Sequence, residues 1–238
     1  MNLLELPVAI LAGGLATRLH PLTERIPKAL LEIHGEPFLA HQLRLLQANG
    51  IQRVVLCVGH LGEMIQDSIG NGELFGLRVD YSFEGPVLLG TAGAIKRGLP
   101  LLGGSFFVLY GDSYLPCNYR EVAEAFHQSG RQALMTVFCN DGRWDRSNVE
   151  YSEGRIWAYS KQNFTSQMRH IDYGLGVFKH SAFSMVPDHE PSDLTTLYRQ
   201  LLELDQLAAL EVKNRFYEIG SLEGLRETTE YLQHHLQT

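Results

Sequence analysis

The sequence holds only three cysteines, Cys57, Cys117 and Cys139, scattered without C-x-x-C spacing. An odd, dispersed set argues against a disulfide framework or a zinc site, so the thiols read as free in a reducing compartment and a cytoplasmic location is expected. Long apolar runs are also missing. None approaches the ~18 residues that span a bilayer, and no membrane partner is expected. The opening MNLLELPVAILAGGLA has no Lys or Arg before Arg18, carries Glu5 and runs into a glycine turn. It reads as a first strand rather than a leader. Cations are in deficit, with Lys+Arg 20 against Asp+Glu 27 for a net charge of -7. That balance argues against a nucleic-acid partner, which needs clustered cations, but leaves room for one small basic pocket that takes phosphate. The histidines show no H-E-x-x-H spacing, and there is no internal repeat and no linker rich in Pro or Ser. What is present is a chain of 238 residues, 45% hydrophobic and 20% charged, which is neither disordered nor a coiled coil. At ~150 residues per domain, one large domain over residues 1–238 is the expectation.

The first half alternates short apolar runs with amphipathic stretches. Strands are expected at Val8–Ala12, Arg53–Val58, Arg78–Phe83, Phe106–Tyr110 and Ala133–Phe138. A helix over Pro37–Asn49 places Leu39, Leu43 and Leu46 on one face, with Gly50 as its stop. Asn118 caps a second helix that runs to Ser129 before Gly130. Beyond Asn140 the rhythm changes to a hairpin turning at Ser152–Gly154, a strand at His170–Phe178 and a helix after Ser192. Phe216–Ile219 then leads into a closing helix from Leu222 to about Leu236. Short apolar strands separated by helices specify an α/β fold: a Rossmann-like, mostly parallel sheet with helices on both faces and a small β-rich lobe around residues 140–180. The change of rhythm at Asn140 divides this one domain into residues 1–139 and 140–238.

Three segments carry candidate chemistry. In LAGGLATRLHPLTERIPKAL, Leu11–Leu30, a strand ends at Gly13-Gly14 and the loop beyond holds Thr17, Arg18 and Lys28. Ligands of open α/β sheets bind beyond the carboxyl ends of strands, where glycines admit backbone amides to a phosphate and cations neutralise it. On glycine spacing alone, an ordinary strand-to-helix turn explains the segment better. It lacks G-K-[S/T] and G-x-G-x-x-G, so P-loop hydrolases and dinucleotide oxidoreductases lose ground. Asp112 follows the apolar strand SFFVL, where a carboxylate can hold Mg²⁺ beside a polyphosphate. A turn aspartate bonding its own backbone explains it equally well. Glu218 ends another strand, where it also suits the start of the last helix. Lys161 in isolation reads as a solvated lysine. Asp172 interrupts an apolar strand, and its burial calls for a polar ligand or a buried partner.

In order and over nearly the whole chain, these segments resemble the sugar-1-phosphate nucleotidyltransferase family. LAGGLATRL…PLTERIPKAL is similar to its signature loop, LGTAGAI at Leu89–Ile95 to its nucleoside-binding segment, and Gly111-Asp112 to its metal site. Tyr159-Ser160-Lys161 resembles its phosphate-binding lysine region, Ile171–Gly174 its sugar-binding strand and Glu218-Ile219-Gly220 its second metal acid. The resemblance implies catalytic roles for Arg18, Lys28 and Asp112, and nucleotide contacts from Leu11, Ala12, Gly13, Gly14, Thr17, Glu84, Gly90 and Thr91. It implies sugar-phosphate contacts from Lys161, Asp172, Gly174 and Asn148, and Mg²⁺ on Asp112 and Glu218. NTP and a sugar-1-phosphate are the implied substrates, and a homodimer the implied assembly.

The departures from the family pattern concern shape and specificity. Ala16 stands where the loop usually has glycine, Asp172 where relatives often carry Asn, and Glu218 where many have Asp. No hexapeptide-repeat β-helix follows the closing helix, as in the short members that handle heptose-1-phosphate or N-acetylmuramate-1-phosphate. Glu84 can accept from guanine N1 and N2, so guanylyl transfer to a heptose- or mannose-type sugar-1-phosphate is favoured over uridylyl or thymidylyl transfer. Two other readings stand beside it: a nucleotide-sugar-dependent glycosyltransferase, although D-x-D is absent at Gly111-Asp112-Ser113, and a catalytically silent binding module, supported by Ala16.

Overall fold

The structure is a computed structural model that describes residues 6–14, 19, 21–188 and 190–235. The first half contains β1 (Val8–Leu11), β2 (Glu32–Ile33), β3 (Glu36–Pro37), α1 (Phe38–Ala48), β4 (Arg53–Val58), α2 (Gly62–Ile69), β5 (Arg78–Phe83), α3 (Gly90–Leu102) and β6 (Ser105–Tyr110). After it come β7 (Ser113–Tyr114), α4 (Tyr119–Ser129), β8 (Ala133–Cys139), β9 (Val149–Ser152), β10 (Arg155–Tyr159), β11 (His170–Lys179), α5 (Leu194–Glu203), β12 (Leu207–Val212), β13 (Tyr217–Glu218) and α6 (Leu222–His235).

Among the described residues, nine strands form one sheet. β5, β4, β1 and β6 lie side by side and parallel. β11 runs antiparallel against β6 and reverses again onto β8, with β12 parallel to β8 at the far edge. The hairpin of β9 and β10 joins at the start of β11. Only β10 and β11 oppose the common direction, so the sheet is mostly parallel. The hairpin turns through Glu153 and Gly154, both with positive φ, which matches the right-handed twist of its strands.

Helices cover both faces, as continuous apolar strands require. Leu39, Leu43 and Leu46 of α1, Ile65 of α2 and Val122 and Phe126 of α4 pack with Val8, Ile10, Leu56 and Leu109. Ile95 and Leu99 of α3 and Leu197 and Leu201 of α5 pack on the other face with Ala9, Val55 and Val108. A small third cluster, Ile33, Phe38, Ile219 and Leu232, seats α6 on the β2–β3 ribbon. Asn118 caps α4 by accepting from the amides of Arg120 and Glu121, and Gly130 closes it in the left-handed region.

Two features were not visible in the apolar periodicity. LAALEV forms β12, although leucine and alanine favour helix, because β8 offers it a full parallel register from Ala133 to Phe138. LGTAGAI opens α3, a 13-residue helix that keeps Pro100 in its last turn. Sheet order places the crevice. The chain leaves β1 towards β4 and β5 on one side and returns as β6 on the other, so the carboxyl ends of β1 and β6 flank a topological switch point.

Candidate active site

At that switch point Leu11 is in register with Tyr110, and the Gly111 amide donates to the Leu11 carbonyl at 2.9 Å. A Cβ on Gly111 would stand 2.7 Å from that carbonyl, so glycine is what lets the two strand ends stay this close. A cleft of about 230 Å³ opens here, lined by the β1 end from Leu11 to Gly14, by Lys28, Glu84, Gly90 and Thr91, and by Tyr110 to Asp112.

The floor of the cleft is ionic. Lys28 stands in a 3₁₀ turn after Pro27, and its Nζ donates to Asp112 Oδ2 at 2.8 Å. The side chains are 17% and 27% exposed, so the pair is shielded but reachable. Ser113 Oγ donates to the other oxygen, Asp112 Oδ1, at 3.3 Å. Behind Asp112 the chain is clamped from two sides. Gln42 Nε2 donates to the carbonyls of Tyr110, at 3.1 Å, and Ser113, at 2.7 Å. The Ile219 amide donates to the Asp112 carbonyl at 2.9 Å, and Glu218 pairs with Ser113 across the β13–β7 ribbon. Asp112, in the turn before β7, and Glu218 on β13, 106 positions apart in the chain, are thereby carried on neighbouring segments. Asp112 and the neighbouring Ser113 hydroxyl are hard oxygen donors of the kind a small divalent ion takes, and Lys28 supplies the positive charge on Asp112 that such an ion would replace; Glu218 approaches through its backbone pairing and is not among the described residues lining the cleft.

Glu84 closes the cleft's other end. Its Oε2 accepts from the Leu89 amide at 2.7 Å, and its Oε1 packs onto Gly13. Burial raises its pKa, opposed by the Leu89 amide and the Arg97 charge. Glycine at 13 is therefore required here by a carboxylate inside the protein, while a Cβ on Gly14 would meet open space. Thr91 turns inward to α5: its Oγ1 accepts from the Leu194 amide at 2.8 Å. Gly90, with φ of +71°, leaves room for the Ser192 carbonyl.

Tyr110 divides the ionic floor from a second cluster. Lys161 Nζ lies 5.4 Å from the centre of its ring. Burial first, then the carboxylates of Asp172, Asp193 and Asp112, hold the Tyr110 phenol well above its ordinary pKa, as a ring among three acids should be. Asp172 Oδ2 accepts from the Tyr159 hydroxyl at 3.0 Å and Oδ1 from the Gly174 amide at 3.1 Å. These are the buried partners its position in an apolar strand calls for. Gly174, with φ of +96°, carries the irregularity where β11 shifts register against β8. Asn148 acts through its carbonyl oxygen, which accepts from the Asp172 amide at 2.9 Å. Thr17 and Arg18, and Ala16 beside them, lie outside the described residues.

Two residues of the site escape sequence reading. Gln42 is a buried polar side chain inside an apolar helix face, which is itself a signal. Asp193 caps α5 by accepting from the Thr195 amide at 2.7 Å. Its burial would raise the carboxyl pKa, but bonds from Thr195 and Thr91 and the Lys161 charge outweigh it and the pKa is lowered. A Ser-Asp pair before a helix signals only a cap; its place beside Lys161 comes from folding.

A family model described as nucleotidyl transferase matches residues 8–148, which include the β1 end, Lys28, Glu84, Thr91 and Asp112. The chain belongs to that family. It is 41% identical over 104 residues to N-acetylmuramate alpha-1-phosphate uridylyltransferase of Neisseria meningitidis serogroup B, covering 43% of this chain and 45% of that one. It is 27% identical over 217 residues to the mannose-1-phosphate guanylyltransferase catalytic subunit beta of Danio rerio, covering 89% of this chain and 60% of that one. The match thus spans only about half the length of these curated relatives. Among solved structures, HddC from Yersinia pseudotuberculosis complexed with GMP-PN superposes with a TM-score of 0.79 at 25% identity, over 95% of this chain and 99% of that one.

Proposed function

We propose that this chain transfers a nucleoside monophosphate from an NTP to a sugar-1-phosphate, giving an NDP-sugar and pyrophosphate. The observation that carries the proposal is the meeting of Lys28, Asp112 and the Glu218 strand at the β1–β6 switch point. A phosphate monoester has its second pKa near ~6, so the sugar phosphate is already largely dianionic at neutral pH and needs no general base. Its oxygen attacks the α-phosphorus of the NTP, and the bond to the leaving pyrophosphate breaks. What remains for the protein is to hold two anions in line and to disperse their charge.

In this reading Lys28 exchanges Asp112 for the triphosphate, which runs along the Leu11–Gly14 backbone, and Arg18 and Thr17 keep the phosphate-binding and nucleotide-contact roles that the family resemblance implies. Asp112 and Glu218 would hold a divalent ion, expected to be Mg²⁺, which supplies charge neutralisation at the polyphosphate when bound. Glu84, Gly90 and Thr91 form the nucleoside end. Lys161 takes the sugar phosphate across the Tyr110 ring. Asp172 and Gly174 meet the sugar, and Asn148 positions Asp172 through its amide. The two halves of the chain, residues 1–139 and 140–238, contribute the nucleotide and sugar sides of one functional unit.

The test is pyrophosphate release with Mg²⁺, pairing each NTP with a panel of sugar-1-phosphates that includes mannose, glucose, N-acetylmuramate and heptose. The relatives' names divide between uridylyl and guanylyl transfer, and the sequence favours guanylyl, so GTP and UTP are the decisive arms. Release that requires one NTP and one sugar phosphate together, and that is lost in Asp112→Asn, supports the proposal. Nucleotide binding without release across the panel, or wild-type turnover by Asp112→Asn, overturns it.

A further inference from the structure

Away from the cleft, three neighbouring strands of the sheet bring together a thiol, an imidazole and a carboxylate. Cys139 ends β8 and pairs in register with His170, which opens β11. Glu211 on β12 stands opposite Val137, two residues back from Cys139 and so on the same face. One ligand atom from each of the three lies within 4.8 Å of the others. His170 Nε2 and Glu211 Oε1 are 3.3 Å apart. That is long for a hydrogen bond, but it matches the roughly 3.3 Å edge between nitrogen and oxygen ligands on a tetrahedral Zn²⁺ with bonds of about 2.0–2.2 Å.

The imidazole turns its other nitrogen away from Glu211. His170 Nδ1 is buried and has no hydrogen-bond partner among the described residues. With the proton on Nε2 the ring donates to Glu211 Oε1; with it on Nδ1 the Nε2 lone pair faces thiol and carboxylate and is open to a cation, so Nε2 is the nitrogen a metal would take. The ring is also held in place, since Tyr151 packs edge-on against it with centroids 4.9 Å apart. Asp141 Oδ2 accepts from the Cys139 thiol at 3.6 Å, and Asp141 Oδ1 is occupied by Arg169 Nε at 2.8 Å.

We propose that Cys139, His170 and Glu211 form a Zn²⁺ site, distinct from the carboxylates of Asp112 and Glu218. A thiolate and a carboxylate together balance a divalent charge, the thiol giving up its proton to solvent as the metal binds. Thiolate and imidazole select zinc over magnesium, whereas an all-oxygen pair such as Asp112 and Glu218 suits magnesium. Because His170 precedes Asp172 by two residues, about 7 Å along the strand, an ion here pins β8, β11 and β12 together next to the second cluster.

Cobalt(II) titration of the metal-stripped full chain tests the site, because a thiolate ligand produces a near-ultraviolet charge-transfer band that oxygen ligands do not. The expected result is a band saturating at one equivalent, retained in Asp112→Asn and Cys117→Ser and lost in Cys139→Ser. One equivalent of Zn²⁺ should abolish it, and a large excess of Mg²⁺ should leave it. Glu211→Gln, an exposed and isosteric change, should weaken cobalt binding at least tenfold and covers the case in which Cys139→Ser fails to fold. No band in the wild type, a band unchanged in Cys139→Ser or Glu211→Gln, or displacement by Mg²⁺ would overturn the proposal.

Discussion

Gly13→Ala is a sharp test of how the cleft is built. The added methyl would fall well inside contact distance of Glu84 Oε1 and 3.0 Å from the Gly59 amide nitrogen. The Gly59 backbone belongs to the turn after β4 and has little freedom, so the Glu84 carboxylate must move. Its Oε2 then leaves the Leu89 amide, now at 2.7 Å. A hydrogen bond to a charged acceptor is worth about 1.5–3 kcal/mol, and overpacking adds strain of about 1–3 kcal/mol. Part of each is recovered when the carboxylate swings towards water, so a net loss of about 2–3 kcal/mol is expected. For a chain of this size that lowers Tm by roughly 4–12 °C. The assay is a double-mutant cycle by urea unfolding, with Gly13→Ala, Glu84→Ala and the double variant. Most of the cost should vanish in the Glu84→Ala background, leaving only the Gly59 contact, with a coupling energy of at least about 1 kcal/mol. A Gly13→Ala loss below about 0.5 kcal/mol, or an equal loss in both backgrounds, would refute the reasoning.

Gln42→Leu removes the donor that clamps the Tyr110 and Ser113 carbonyls; stability should fall by about 1–3 kcal/mol and kcat should drop more than KM rises, read by unfolding and steady-state kinetics. Asp193→Asn tests linkage. The folded carboxyl is depressed, so its stabilisation is present above the ordinary aspartate pKa of ~3.9 and lost as pH falls through the folded value. The stability gap between variant and wild type should therefore be widest at neutral pH and close towards pH 3. Burial pushes the Cys57 and Cys117 thiols up to about 12. Neither should react with iodoacetamide at neutral pH in the native protein, and both should react once it is unfolded, which peptide mass spectrometry resolves.

Local chemistry alone specified much of this protein. Apolar runs marked β1, β4, β6 and β8, because a strand covered on both faces is nearly continuous in apolar residues, while alternation marked the edge strand β5. Asn118 and Gly130 bracketed α4, since a cap acts on amides two or three residues away. The candidate residues of the cleft were legible as types at strand ends: Gly13, Lys28, Asp112, Glu218. Their partnership was not. That Lys28 meets Asp112, or that Glu218 pairs with the residue after it, follows from sheet order and from the β7–β13 ribbon, and contacts spanning 84 and 105 positions leave no spacing to read. Asp193 caps α5 and also stands beside Lys161, Gln42 is a polar residue within an apolar helix face and holds the Asp112 turn, and the leucines and alanines of β12 favour helix but take the edge that β8 offers. Cysteine spacing likewise argued against a zinc site, yet strand register gathers Cys139, His170 and Glu211 from positions as much as 72 apart. Sequence determines what each short segment can be, because those interactions act within a few residues. Which segments become neighbours depends on burying the most apolar surface in one closed arrangement, and only the tertiary structure decided that.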